Sequence, residues 1–113
     1  MKLHNLIPLR RFSVVGESMN PGYKPGERLL ISPILLKFAP ATQGDVVVIQ
    51  HPLDAKKQLL KRVIGVPGDR VEGVDLGPEE YFVLGDNKGK SEDSRHFGKI
   101  KRDQILGKVW YKY

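Results

Sequence analysis

The sequence contains no cysteine among its 113 residues, which excludes disulfide bonds, thiolate nucleophiles and zinc sites with cysteine ligands. It also has no apolar run approaching the roughly 20 residues of a membrane-spanning helix. The three histidines, His4, His51 and His96, have neither the spacing of metal ligands nor the partners for a Ser-His-Asp set. We therefore expect no metal site, and catalytic chemistry would have to use other side chains.

Negative charge is scarce, because 13 acidic residues face 19 lysines and arginines, for a formal net charge of +6. Such a surplus favours acidic partners in a weak, salt-dependent way, and it suits an anionic lipid surface as well as nucleic acid. No recognition motif or interleaving of aromatic and basic residues supports nucleic-acid binding, so none is expected. Residues 1–12 are too short and too polar for a secretory signal or a membrane span. The sequence therefore predicts a protein that is cytoplasmic or peripheral to the membrane.

Glycine and proline are frequent, with 12 and 8 residues, and they separate short apolar runs rich in β-branched residues. No segment keeps a helical period beyond two turns, although residues 34–38 can form one turn. Strands are predicted at residues 11–15, 28–31, 46–49, 59–66, 70–74, 81–84 and 105–113. This pattern predicts one small all-β domain over residues 1–113, largely antiparallel, as a barrel or sandwich, with residues 1–10 as a loosely ordered N-terminal segment.

Two residues are the main chemical candidates, a serine in a turn and a lysine in a strand. Ser18 follows a predicted strand and Gly16, and it precedes a proline turn. Lys61 lies within an apolar run, and a buried lysine can act as the base that a serine nucleophile needs. Strand alternation places Lys61 and Arg62 on opposite faces, so at most one of them points inward. Taken singly, a turn serine more often caps its own backbone, and a Lys-Arg pair more often lies in solvent.

A third polar segment follows a loop rich in glycine and lysine. It contains Ser91, Asp93, Ser94 and Arg95. A serine hydroxyl can hold a neutral lysine amine in position, and Asp93 with Arg95 can form a charge-assisted pair that fixes the loop. On its own, this segment is equally typical of a polar turn.

Together, four blocks resemble the ordered boxes of the type I signal peptidase family, peptidase family S26. They are Ser18-Met19 with Pro21, residues 44–48, residues 61–69 and residues 85–98. Each block is weakly specific, but all four occur in the right order across most of the chain. The resemblance implies a largely antiparallel β domain coiled around a catalytic groove, with no metal or organic cofactor.

The resemblance also implies a role for each matching side chain. Ser18 would be the acylating nucleophile and Lys61 the general base. Ser91 would orient the Lys61 amine, while Asp93 and Arg95 would brace the active-site loop.

The residues around Ser18 would form the substrate and oxyanion region. This region comprises Gly16, Glu17 and Met19, with the Ser18 N–H as an oxyanion donor. Many bacterial members carry a serine where this chain has Gly16, so the oxyanion hole would use backbone donors here. The chain also lacks the N-terminal anchor of typical members, and its segment between residues 69 and 81 is short. With these departures, the chain is similar to a compact branch of the family, the proteases that mature nickel-type superoxide dismutase.

The function expected from this resemblance is a serine endopeptidase with a Ser/Lys dyad. It would remove an N-terminal leader or signal peptide from a precursor protein, bound as an extended strand. One alternative is a LexA-like self-cleaving domain, although the sequence has no room for a helix-turn-helix. Another is a non-catalytic basic β module that binds peptide or a membrane surface. The oligomeric state is not predicted.

Overall fold

The computed structural model describes residues 9–113, so the expected N-terminal segment 1–10 falls almost entirely outside the described residues. Nine short strands and a few single-turn helices follow one another along these residues. They are β1 (Arg10–Ser13), β2 (Arg28–Ser32), α1 (Leu35–Phe38), β3 (Val46–His51), β4 (Asp54–Gly65), β5 (Arg70–Val71), β6 (Val74–Asp75), β7 (Glu80–Leu84), a 3₁₀ turn (Lys88–Lys90), α2 (Ser94–Phe97), β8 (Ile100–Lys101), a 3₁₀ turn (Arg102–Gln104) and β9 (Ile105–Lys112).

Seven of these strands form one antiparallel sheet in the order β1-β2-β9-β3-β4-β7-β8, and β5 pairs with β6 as a separate hairpin. The prediction of a small, largely antiparallel all-β domain is therefore confirmed. Among residues 9–113 the sheet stays open, with β1 and β8 as its edges, so the barrel alternative was wrong. Within the same residues, no helix is long and apolar enough to cross a membrane.

The predicted strands and the single helical turn are present, with three differences. Strand β4 begins at Asp54 because its hairpin with β3 continues through polar, exposed residues, with His51 opposite Asp54. The strand predicted at residues 70–74 is a two-strand hairpin that turns at Glu72 and Gly73, which both have positive φ. Strand β8 and helix α2 were not predicted, since two and four residues give no measurable period.

Among residues 9–113, three apolar clusters pack against the sheet, and the two larger ones lie on its opposite faces. The first contains Val47, Ile49, Val63, Tyr81, Val83 and Ile100. The second contains Val14, Met19, Leu29, Ile31, Val48 and Leu60. Because side chains alternate along a strand, Leu60 faces the second cluster, and Lys61 lies on the same face as Val63 and the first cluster.

Candidate active site

Lys61 lies in the middle of β4 and is 1% exposed, so it points inward as strand alternation allows for one member of the Lys-Arg pair. Arg62 points to the opposite face. There its guanidinium donates to both carboxylate oxygens of Asp86 at 2.9 Å and to the Gly44 carbonyl at 2.8 Å. The predicted division between the two neighbours is therefore present: Arg62 is paired, and Lys61 is buried.

Within residues 9–113, the Lys61 amine makes no hydrogen bond and no ion pair with a side chain or carbonyl. Burial lowers the pKa of Lys61 to about 8, against the opposing influence of the negative charges on Asp93 and Glu92. A lysine amine in such surroundings loses its proton far more readily than one in water. It can therefore accept a proton at mildly alkaline pH.

The turn that carries Ser18 is held against the loop after β7. The Asn87 N–H donates to the Ser18 carbonyl at 2.7 Å, and the Asn87 side chain donates to the Glu17 carbonyl at 3.1 Å. Lys90 donates to the Glu17 carboxylate at 2.8 Å. Loops far apart in sequence thus meet at Ser18.

Met19 fixes the same turn from the other face of the sheet. Its side chain is 1% exposed, and its sulfur accepts from the Asp86 N–H at 3.4 Å.

Gly16 has φ of +78°, a left-handed conformation that glycine adopts without steric cost. In the described part of the chain, neither the hydroxyl nor the N–H of Ser18 has a hydrogen-bond partner, which leaves both available to a substrate.

Gly85 connects this turn to Lys61. The β4–β7 register pairs Arg62 with Leu84 and Val63 with Val83, and one further step places Lys61 opposite Gly85. Opposed residues of an antiparallel pair point to the same face. A Cβ on Gly85 would overlap the Ser91 hydroxyl and lie 2.8 Å from the Ser18 carbonyl oxygen. The Ser18 backbone and Ser91 therefore occupy the space in front of Gly85, on the face where Lys61 lies.

Asp93 organises the remaining predicted residues. Its fully buried carboxylate accepts from the Ser91 hydroxyl at 2.7 Å, from the Gly85 N–H at 3.0 Å and from Arg95 through both Nε and Nη2 at 2.9 Å. Burial alone would raise the pKa of Asp93, but the hydrogen bonds from Arg95, Gly85 and Ser91 hold it well below its usual range. Asp93 is thus a permanent anion, and it also caps helix α2.

The Ser91 hydroxyl donates to Asp93, and no hydrogen bond to Lys61 occurs among the described residues. In the structure, the Ser91 side chain lies against Gly85. Its predicted role in orienting the Lys61 amine stays a prediction. The Asp93–Arg95 pair is present, and Arg95 also donates to the Lys88 carbonyl at 2.9 Å. This contact ties the 3₁₀ turn to helix α2.

Three residues near this site escaped sequence reasoning. Gly85 lies in the last of the four blocks, residues 85–98, but was given no role of its own. His51 and Glu92, whose side chains meet at 2.6 Å, are separated by 41 positions. No spacing rule links such a pair, and only the strand register brings the β3–β4 hairpin beside the loop after β7.

Comparison with known proteins gives a consistent result. Residues 4–76 and 72–113 match a family model described as signal peptidase, peptidase S26. The chain is 31% identical to signal peptidase IB of Staphylococcus aureus strain Mu50, in an alignment that covers 90% of the chain and 76% of that relative. It is 30% identical to signal peptidase I of Bacillus caldolyticus, with 96% and 81% covered.

Proposed function

Because this chain belongs to the signal peptidase family, peptidase S26, we propose that it is a serine endopeptidase in which Ser18 is the nucleophile and Lys61 is the general base. The observation that carries the proposal is the buried Lys61 side chain, whose amine makes no hydrogen bond among the described residues. It has no ion-pair partner among residues 9–113, and it lies on the face where Ser18 and Ser91 fill the space before Gly85. A purely structural lysine has no need for such surroundings, because leaving a buried ammonium unpaired is costly.

The proposed reaction begins with neutral Lys61. Its amine takes the proton from the Ser18 hydroxyl as the oxygen attacks the scissile carbonyl carbon. The Ser18 N–H, free among the described hydrogen bonds, donates to the oxyanion that develops. Protonated Lys61 then gives its proton to the departing amine as the C–N bond breaks. Water, deprotonated by Lys61, then attacks the ester carbonyl carbon, and Lys61 returns the proton to the Ser18 oxygen as the acyl C–O bond breaks.

The proposed substrate is the N-terminal leader or signal peptide of a precursor protein. The relatives are named signal peptidases, and an extended peptide beside Ser18 could hydrogen-bond to the free backbone N–H there. Only the short β5–β6 hairpin stands between residues 69 and 81. This compactness supports the more specific proposal of a maturation protease with one precursor.

A membrane surface is a reasonable place for this activity. Trp110 and Tyr111 are 46% and 60% exposed on β9, beside Lys112, and the whole chain carries a surplus of positive charge. Aromatic and basic side chains together favour the interface of an anionic bilayer. Co-sedimentation with anionic and with neutral vesicles tests this arrangement, which predicts binding to the anionic vesicles alone.

The activity test incubates the protein with leader peptides that carry an Ala-x-Ala site, between pH 6 and pH 10, and follows products and intact mass. Cleavage should rise with pH through about 8, the lowered pKa of Lys61. Ser18→Ala and Lys61→Met should each abolish turnover, and the double variant should lose no more than either one, since the two act as a unit. Ser13→Ala and Lys56→Met, at exposed strand positions, are the matched controls.

The same experiment separates the alternatives. Appreciable cleavage by Ser18→Ala or Lys61→Met would eliminate the dyad mechanism. Cleavage of the protein's own chain, without turnover of added peptide, would favour a LexA-like self-cleaving domain. Salt-sensitive peptide binding with no product in any variant would favour a binding module.

A further inference from the structure

A second pair of side chains, His51 and Glu92, lies close to the proposed site without belonging to it. His51 is at the end of β3 and only 8% exposed. Its Nδ1 accepts from the Leu53 N–H at 3.0 Å, so in a neutral ring Nε2 carries the hydrogen. That nitrogen lies 2.6 Å from the Glu92 carboxylate and therefore donates to it. The ring also packs against Phe97 of helix α2, with 5.1 Å between the ring centroids.

Glu92 lies between Ser91 and Asp93 in the chain, in the loop that precedes helix α2. Besides His51, its carboxylate contacts Lys57 of β4 at 3.3 Å. Lys57 and Lys61 are four residues apart on one strand, so alternation places both side chains on the same face. Glu92 thus joins the β3–β4 hairpin to the loop that carries Ser91 and Asp93, on the face that buries Lys61.

On the basis of the proposed function, we propose that Glu92 and Lys57 are a charged pair that acts on Lys61. The contacts with His51 and Lys57 hold the Glu92 carboxylate beside β4, on the face that buries Lys61, so the pair presents opposite charges to that amine. Four charged groups besides the amine itself act at this place. Asp93 and Arg95 come from the N-terminus of helix α2, Glu92 from the preceding loop, and Lys57 from the same strand as Lys61.

Asp93 is fully buried and pairs with the exposed Arg95, and both keep their charges at any pH near neutrality. Glu92 and Lys57 are each about half exposed, so they can be exchanged with less damage to the fold. The pair contributes opposite signs at Lys61, since the Glu92 charge raises the Lys61 pKa and the Lys57 charge lowers it. Glu92 and Lys57 therefore modulate, in opposite directions, a Lys61 pKa that burial lowers and Asp93 raises.

The test uses full-length protein carrying Ser18→Ala and lysine labelled with ¹³C at Cε, and it follows the Lys61 signal by NMR from pH 6 to pH 11. Loss of the signal in Lys61→Met assigns it. Glu92→Gln, which keeps a group able to accept from His51, should move the Lys61 titration to lower pH by about 0.5 unit. Lys57→Gln should move it to higher pH by a similar amount. Glu79→Gln, at an exposed glutamate that pairs with Arg102, should leave it unchanged.

Shifts of the Lys61 titration in opposite directions are the decisive result. If the Glu92–Lys57 contact only held the loop in place, both variants would shift the Lys61 titration in the same direction. His51→Phe should keep the packing against Phe97 but release Glu92, and so give a smaller shift in the same direction as Glu92→Gln. Equal titrations in wild type, Glu92→Gln and Lys57→Gln would overturn the proposal, as would a shift of the same sign in both variants. Thermal unfolding of each variant verifies that the protein compared is folded.

The titration requires no substrate, so its failure is distinguishable from failure of the proposed function. In protein with Ser18 intact, the acidic limb of kcat/KM should follow the same two shifts. Opposite NMR shifts in a protein that cleaves no leader peptide would refute the peptidase proposal and leave the role of Glu92 intact. Cleavage with an acidic limb that neither variant moves would refute the role of Glu92 alone.

Discussion

At the scale of single residues, Lys61 shows how far sequence reasoning reaches. Its position in an apolar run, next to Arg62, predicts that at most one of the two points inward. The family resemblance, rather than the strand pattern, indicates Lys61 as that residue. What the sequence could not provide is the set of neighbours. Glu92 and Asp93 are far from Lys61 in sequence, and only the pairing of the strands brings them close to it.

Lys61 should lower the stability of the folded protein. Its pKa falls from 10.5 to about 8 on folding, so the unfolded chain binds the proton more tightly. Stability is therefore reduced as pH falls below 10.5, and the reduction is complete below about pH 8. Lys61→Met keeps a side chain of similar length without the charge. Near pH 7 we expect this variant to be more stable than wild type by up to about 3 kcal/mol.

Urea unfolding at pH 7 and at pH 10 measures this difference. The advantage of Lys61→Met should shrink as pH rises from 8 toward 10.5, because wild-type Lys61 becomes neutral in both states. Lys56→Met, at an exposed position of the same strand, should show no such pH dependence. A Lys61→Met protein that is less stable than wild type at pH 7 would show that the amine is well solvated or paired in solution.

At the scale of elements, the sequence motif predicted which residues of the loop from Gly85 to helix α2 belong together, but it did not predict the conformation of that loop. The motif identified Ser91, Asp93 and Arg95 as a group, and the structure gathers them around one carboxylate. The motif did not predict a helix of four residues, because its stability comes from Asp93 at the N-cap rather than from a periodic apolar face.

Replacing Gly85 should disrupt the site by steric overlap. Gly85→Ala places a Cβ 2.5 Å from Ser91 Cβ and 2.8 Å from the Ser18 carbonyl oxygen, so Ser18, Ser91 or both must move. A displacement of about 1 Å in such a site can lower kcat/KM about a hundredfold, and the overlap should cost about 1–3 kcal/mol of stability. Gly89→Ala is the matched control, because a Cβ there meets nothing within 4 Å. Peptide cleavage by Gly85→Ala at the wild-type rate would mean that the turn does not hold Ser18 near Lys61.

Asp93 should contribute to the stability of this loop through its charge as well as its shape. Asp93→Asn keeps the volume but leaves Arg95 without its anionic partner, and we expect a loss of about 3 kcal/mol at pH 7. Because folding lowers the Asp93 pKa, this contribution is complete well above pH 4 and declines as pH falls further. In urea unfolding, wild type and variant should therefore differ less at pH 3 than at pH 7. A constant difference between these pH values would argue against an ionised Asp93 as the source, and exposed Asp103→Asn is the control.

At the scale of the whole molecule, the sheet order was beyond sequence reasoning. Most strands were predicted, but the last strand, β9, inserts between β2 and β3. The pattern of residues within a strand does not indicate which distant strand it pairs with. This insertion joins β1 and β2 to the rest of the sheet, and β2 carries Leu29 and Ile31 of the cluster that also holds Met19. The turn around Ser18 thus depends on a strand that lies far away in sequence.

A change in the middle of β9 should therefore destabilise the whole sheet without altering the chemistry. Gly107 lies opposite Val48, and a Cβ there would be 3.2 Å from Ile31 Cδ1 and 3.4 Å from the Pro33 backbone nitrogen. Gly107→Ala should cost about 1 kcal/mol and Gly107→Val about 2–3 kcal/mol, both in a single unfolding transition. Below the unfolding temperature, folded Gly107→Val should keep both the wild-type kcat/KM and its acidic limb, whereas Gly85→Ala should lower kcat/KM about a hundredfold. Thermal unfolding and the pH profile measured on the same samples separate the two effects. A Gly107→Val protein with wild-type stability and a displaced acidic limb would instead make β9 part of the site.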